Sequence, residues 1–153
     1  MEISVRPASQ NDSSAITAMV RQARLNPANL DWRRFVVAER DRTIVGVAQV
    51  RRYADGAREL ASLVVQASFR GQGVATTLID VLLRDDPGEM FALIDRRFAH
   101  HFERWGFHVI RPGELPRPLF RVYLTGLVVT SLVSVLSLRR AWIVPLKRSA
   151  NSP

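Results

Sequence analysis

Glu59-Leu60-Ala61-Ser62-Leu63-Val64-Val65-Gln66-Ala67-Ser68-Phe69-Arg70-Gly71-Gln72-Gly73-Val74-Ala75 reads as an apolar strand that turns through two glycines into a helix. The helix continues from Val74 to Arg84 with apolar residues at helical spacing. The first turn of a helix carries backbone N–H groups without an intrahelical partner, and the macrodipole adds partial positive charge there. Gly71 and Gly73 remove the Cβ atoms that would keep an anion from those donors, and Arg70 adds a fixed positive charge beside them. The segment is therefore a candidate phosphate cradle.

Two folds use such a cradle. A dinucleotide-binding fold wants GxGxxG after a strand, with an acid roughly 20 residues on. Gly71 and Gly73 fit that pattern, and Asp95 follows the next apolar run, Met90-Phe91-Ala92-Leu93-Ile94, but Thr76 stands where the third glycine belongs. The cradle also sits in mid-chain, behind hairpin strands, whereas a doubly wound sheet opens with it. Upstream, Ile3 to Arg6 reads as a short strand, and Asp12 or Ser13 is placed to cap a helix through Ala15, Ile16, Met19, Val20 and Ala23. Phe35 to Glu39 and Thr43 to Val50 form a hairpin across Arg40-Asp41-Arg42, and Asp55-Gly56 signals a second turn before the Glu59 strand. The result is a three-strand antiparallel meander ahead of the cradle helix. Beyond it the pattern predicts a buried strand at Met90 to Ile94, a helix over Arg96 to Trp105 ended by Gly106, and a strand through Phe107 to Ile110.

Arg70-Gly71-Gln72-Gly73-Val74-Ala75 resembles the (Gln/Arg)-x-x-Gly-x-(Gly/Ala) signature of the GNAT superfamily of acetyl-CoA-dependent N-acetyltransferases. Phe98-Ala99-His100-His101-Phe102-Glu103-Arg104-Trp105-Gly106-Phe107 is similar to the family's second landmark, a helix ending in Phe-Tyr-Glu-Lys-x-Gly-Phe. Ile3 to Ala8 resembles the first strand of many members, so the likeness extends from about Ile3 to Ile110. It implies a mixed α/β fold, a central, mostly antiparallel sheet flanked by helices, in a single N-acetyltransferase domain over 1–153.

The likeness also implies the chemistry. Acetyl-CoA would be the cosubstrate and a primary amine of a small molecule or protein the acceptor, with direct transfer and no metal. Glu59 would be the base that takes the ammonium proton. Leu63, Val64 and Val65 would pair through their backbone with the pantetheine arm, and Arg70, Gly71, Gln72, Gly73, Val74 and Ala75 would meet the pyrophosphate. Phe102 departs from the pattern, because the family commonly has a tyrosine there to protonate the departing thiolate. His100, His101, Tyr53 and Tyr123 could replace it by type. That departure also opens a second class of function, an acyl-CoA-binding regulatory module with weak catalysis.

Composition agrees with an anionic partner. The 153 residues carry a net charge of +8 and 47% hydrophobic content, enough for one core. The basic residues come singly and in pairs, without the interleaved aromatics of a nucleic-acid stacking platform, so no nucleic acid is expected. Absence of cysteine removes disulfides and thiolate chemistry. No signal peptide precedes the first strand, which gives a cytoplasmic expectation.

The end of the chain reads less simply. Val122 to Leu138 is uncharged and contains Thr125, Gly126, Thr130, Ser131, Ser134 and Ser137. A spanning helix needs roughly 17 to 25 apolar residues, so this stretch lies at the lower edge. It suits an extra C-terminal helix over 118–138, packed on the domain, or a homodimer face or peripheral membrane contact through 119–138. Membrane association through 122–138 is thus a third class of function. A final strand over 140–148 follows, and Pro145 within it favours a sheet edge.

Overall fold

The computed structural model describes residues 2–27, 30–126 and 142–150. Its residues divide into two compact units, 1–51 with 60–87 and 52–59 with 88–153. Among the described residues there are seven strands with helices between them, the α/β class that the sequence implies.

In the first unit β1 (Ser4–Pro7), β2 (Phe35–Arg40), β3 (Thr43–Arg52) and β4 (Arg58–Val65) are neighbours in that order. β1 runs antiparallel to β2 with Ser4 opposite Glu39, and β2 runs antiparallel to β3 with Phe35 opposite Gln49. Asp41 and Arg42, with φ of +50° and +63°, make the two-residue turn whose twist matches the flanking strands. The meander read from the sequence is present.

Helix α1 (Ser13–Gln22) buries Ile16, Met19 and Val20 against Phe35, Val37, Val47 and Val64. The 16, 19, 20 spacing is one face of a helix. Asp12 precedes α1 as expected but does not cap it. Its carboxylate instead accepts from Arg6 Nη1 at 2.8 Å, from Ser9 N at 2.6 Å and from Ser9 Oγ at 2.9 Å. A guanidinium within reach outcompetes the helix N–H groups for the same oxygens. Helix α2 (Val74–Asp85) buries Val74, Leu78, Ile79, Leu82 and Leu83. It approaches β3 so closely at Gly46 that a Cβ there would lie 2.9 Å from Val74 Cγ1 and 3.0 Å from Leu78 Cδ1. That contact fixes the first turn of α2, and with it the end of the cradle.

In the second unit the strand order is β5 (Met90–Asp95), β7 (Ile143–Arg148), β6 (Phe107–Val109). Both neighbours run antiparallel to β7, with Leu93 opposite Pro145 in β5 and Val109 opposite Leu146 in β6. β7 is therefore flanked on both sides, and the expectation of an edge at Pro145 is wrong. The Pro145 carbonyl accepts from Ile110 N at 3.0 Å, which sets the side of the strand its nitrogen also faces. That side is where the short β6 has ended, so the missing N–H costs no bond in the ladder with β5. Between β5 and β6 the chain coils as a 3-10 turn (Arg96–Phe98), α3 (Ala99–Phe102) and a second 3-10 turn (Glu103–Trp105), ended by Gly106 at φ +79°.

Helix α4 covers 117–126 of the described residues and packs Leu119 and Tyr123 with Phe91, Ile110 and Leu115. The expected 118–138 insert and the 119–138 and 122–138 surfaces fall mostly on 127–141, outside the described residues. No helix among the described residues is long and apolar enough to cross a membrane.

Candidate functional site

The cradle is built within the first unit. After β4, Gln66 turns the chain by donating its backbone N–H to Val45 O at 2.9 Å and its side-chain Nε2 to Ile44 O at 2.7 Å. Gly71 and Gly73 then adopt φ of +73° and +81°, in the left-handed region that side chains resist. Gly73 is the N-cap of α2, and its carbonyl accepts from Thr77 N at 3.0 Å. A Cβ built on Gly71 or Gly73 meets nothing within 4 Å. The glycines thus serve the backbone path and leave the space before the helix open. Arg70, Gly71, Gln72 and Gly73 are exposed, Val74 is buried and Ala75 half-buried. No side chain caps the first turn of α2, and a helix N-terminus left so is suited to an anion.

Two side chains reinforce it. Arg70 is anchored by its Nε to Val65 O at 3.2 Å, and Arg40, from the end of β2, lies over the Phe69 ring at 5.6 Å. Arg40 Nη1 also points to Gln72 Oε1 at 3.4 Å, and Gln72 Nε2 donates to Ser68 O at 3.0 Å. Arg40 was not among the sequence candidates. Its only signal was position, directly before the turn that leads to β3.

β4 is not a regular strand. Ser62 has φ +53°, so the extended backbone is interrupted and the two-residue alternation of faces does not pass through it. Glu59 and Ala61 before the kink therefore do not share one alternating face with Leu63 and Val65 after it. Val64 is buried, whereas Leu63 and Val65 are half-buried. Gln49 holds the kink from β3 by donating Nε2 to Ser62 Oγ at 2.8 Å.

Glu59 belongs to the second unit and is buried, only 5% exposed. The Tyr53 hydroxyl donates to its Oε2 at 2.6 Å. Neighbouring Arg58 sends Nη2 to Glu89 O at 2.8 Å. Phe102 is buried and meets Trp105 and Phe107 edge-on, with centroids 5.8 and 5.7 Å away. It is a packing residue. His100 and His101 are exposed with their rings 3.9 Å apart, and Tyr123 belongs to the core. The Asp95 carboxylate is taken by Arg97 Nη2 at 2.6 Å, which holds it below the usual carboxylate range against the opposing effect of burial. In the same unit Gly113, Leu115, Arg117, Phe120 and Arg121 line a cavity of about 240 Å³. No cluster of metal-ligating side chains occurs among the described residues.

Residues 31–109, just over half of the chain, match the family model described as an acetyltransferase (GNAT) domain. The chain belongs to the GNAT acetyltransferase family. Three solved structures place its fold among GNAT relatives. N-acetylglutamate synthase from Neisseria gonorrhoeae, complexed with coenzyme A and N-acetyl-glutamate, superposes with a TM-score of 0.77 at 19% identity, over 99% of this chain and 36% of that one. A Mycobacterium tuberculosis protein in complex with CoA and NLQ gives 0.69 at 21%, over 95% and 98%. A GNAT-family acetyltransferase from Staphylococcus aureus Mu50 gives 0.67 at 12%, over 98% and 100%. The GNAT chain described here spans about a third of the length of the gonococcal synthase. No curated protein matches it by sequence.

Proposed function

We propose that this GNAT protein transfers an acetyl group from acetyl-CoA to a primary amine. The observation that carries the reading is the pair of left-handed glycines opening α2, because Gly71 and Gly73 leave open space before a set of backbone donors. That arrangement fits a pyrophosphate. Arg70, Gly71, Gln72, Gly73, Val74 and Ala75 would hold it, with Arg40 beside them. Leu63, Val64 and Val65, after the Ser62 kink, would offer backbone groups to the pantetheine arm. A backbone N–H there would also stabilise the oxyanion of the attacked thioester.

Glu59 is the proposed base. The ammonium first gives one proton to the Glu59 carboxylate; the neutral amine nitrogen then attacks the thioester carbon, the C–N bond forms and the C–S bond breaks, and the nitrogen's second proton passes through solvent to the departing thiolate. A thiol with reference pKa of about 8.5 leaves without an enzymic acid at a tolerable rate. The reaction therefore does not require a hydroxyl at Phe102. The acceptors favoured are those carrying a free carboxylate. The gonococcal and mycobacterial relatives are complexed with N-acetyl-glutamate and with NLQ, and Arg117 and Arg121 line the cavity in the second unit.

The test is coenzyme A release across a panel of amines, amino acids and peptides, paired with acetyl-CoA titration. Turnover with an amino acid supports the whole reading, and failure to bind acetyl-CoA overturns it. The buried Phe102 favours one rival, an acyl-CoA-binding module with little catalysis. Binding without release on any acceptor would select that rival.

A further inference from the structure

The turn between β3 and β4 places one side chain where the sequence pattern alone does not put it. Tyr53 N donates to Ala57 O at 2.9 Å and Gly56 N to Tyr53 O at 3.0 Å, with Gly56 at φ +85°. This is a three-residue hairpin loop in which Tyr53 stands opposite Ala57. Glu59 lies two residues beyond Ala57 on the same face, and such diagonal neighbours are within reach of an aromatic side chain. The Tyr53 ring packs against the cluster of Phe91, Ile110, Leu115, Leu119 and Tyr123, which fixes its apolar body. Only the hydroxyl is directed at the carboxylate, and its 2.6 Å bond to Glu59 Oε2 lies in the range of O–H···O⁻ bonds.

We propose that Tyr53 is a positioning residue for Glu59, which rests on Glu59 being the base. A glutamate side chain has three rotatable bonds, and a base must meet its proton in one geometry. The phenol holds Oε2 and thereby sets the rotamer and the plane of the carboxylate. Tyr53 keeps its own proton throughout; the amine proton goes to Glu59. Leu115 and Phe120, which line the 240 Å³ cavity, are respectively a member of the cluster under the Tyr53 ring and packed against it.

A double-mutant cycle tests this with Tyr53→Phe, Glu59→Gln and their combination, measured with the best amine of the panel. Tyr53→Phe should lower kcat roughly tenfold and leave the acetyl-CoA KM unchanged, in line with the cost of a misplaced catalytic group. Against Glu59→Gln it should have no further effect. An equal loss in the Glu59→Gln background, or wild-type kcat for Tyr53→Phe, overturns the positioning role while leaving the base in place. Wild-type kcat for Glu59→Gln overturns the base, and the positioning role with it. Glu59→Asp, which draws the carboxylate back from the phenol, needs no change at Tyr53 and serves if Tyr53→Phe alters the fold: it should lower kcat with acetyl-CoA KM unchanged and shift the carboxylate band, and wild-type kcat with an unmoved band overturns the positioning role. An infrared readout needs no turnover. The carboxylate band that disappears in Glu59→Gln should move in Tyr53→Phe, and an unmoved band rejects the proposal.

Discussion

Asp12 and Glu59 are buried carboxylates, 7% and 5% exposed, but they are buried in different company. Asp12 stands against a guanidinium. Arg6 donates Nη1 and Nη2 at 2.8 and 3.2 Å, Ser9 adds its backbone N–H and hydroxyl, and Arg6 Nε also holds Glu39 at 2.9 Å. The Arg6 bonds hold the Asp12 carboxyl far below the usual range, despite the opposing effect of burial, and Arg6 is raised in return. A carboxylate in that state keeps its charge and joins β1, β2 and the start of α1. Glu59 counts a phenol among its contacts, the Tyr53 hydroxyl from the neighbouring hairpin loop. The difference teaches that burial alone does not mark a catalytic carboxylate, so the proposed base and the structural carboxylate are told apart by what the loss of each one does.

The sharpest way to break this comparison is to remove each charge and read both turnover and stability. Glu59→Gln should lower kcat by roughly 10²- to 10⁴-fold, about 2.7 to 5.5 kcal/mol of barrier. Its melting temperature should fall less than that of Asp12→Ala, because the amide keeps an oxygen for the Tyr53 hydroxyl. Steady-state kinetics beside thermal unfolding decide it. A Glu59→Gln variant that melts early and turns over normally would make Glu59 a second Asp12.

Asp12→Ala should do the reverse, with kinetic constants near wild type and stability lower by about 1 to 3 kcal/mol. The ion-pair part of that loss is reduced by solvent, since the Arg6 side chain is 41% exposed. The pH dependence gives the sign. With a folded-state pKa below its unfolded value of about 3.9, Asp12 contributes fully above that value and loses its contribution as pH falls further, toward the folded-state pKa. Wild type should therefore lose stability faster than Asp12→Ala as pH drops from about 5 to 2. Parallel unfolding curves across that range would remove Asp12 from its structural role.

The sequence disclosed most where function and fold depend on backbone. Gly71 and Gly73 before an amphipathic helix, the Asp41 turn and the Asp55-Gly56 turn are local devices, and each stands where residue order puts it. What escaped depends on register and on partners far along the chain. Ser62 is an ordinary strand residue in sequence, and its left-handed φ goes with a bond from Gln49 thirteen residues earlier. Asp12 looked like a cap because Arg6 could not be seen to reach it. Pro145 looked like an edge residue because the end of β6 at Val109 is not written near it. Tyr53 was legible as a type but not as the partner of Glu59, since that follows only once the hairpin loop is counted at three residues.

The smallest predicted effect concerns the cradle, where the proposed binding rests mainly on backbone N–H groups, and it adds a third term to the comparison. Gly73→Ala forces a Cβ into a backbone at φ +81°, a cost of about 1 to 2 kcal/mol for a non-glycine residue. In the free protein the new methyl has open space, with nothing within 4 Å. The backbone strain therefore falls on stability, and any further loss appears only when an anion must approach the N–H groups. Acetyl-CoA KM should rise roughly tenfold, about 1.4 kcal/mol, with kcat unchanged. Acetyl-pantetheine, which lacks the pyrophosphate, should be used equally well by Gly73→Ala and wild type. Equal losses for both thioesters would mean that the glycine shapes β4 rather than the anion site, and the distinction between backbone and side-chain roles would fail at its simplest case.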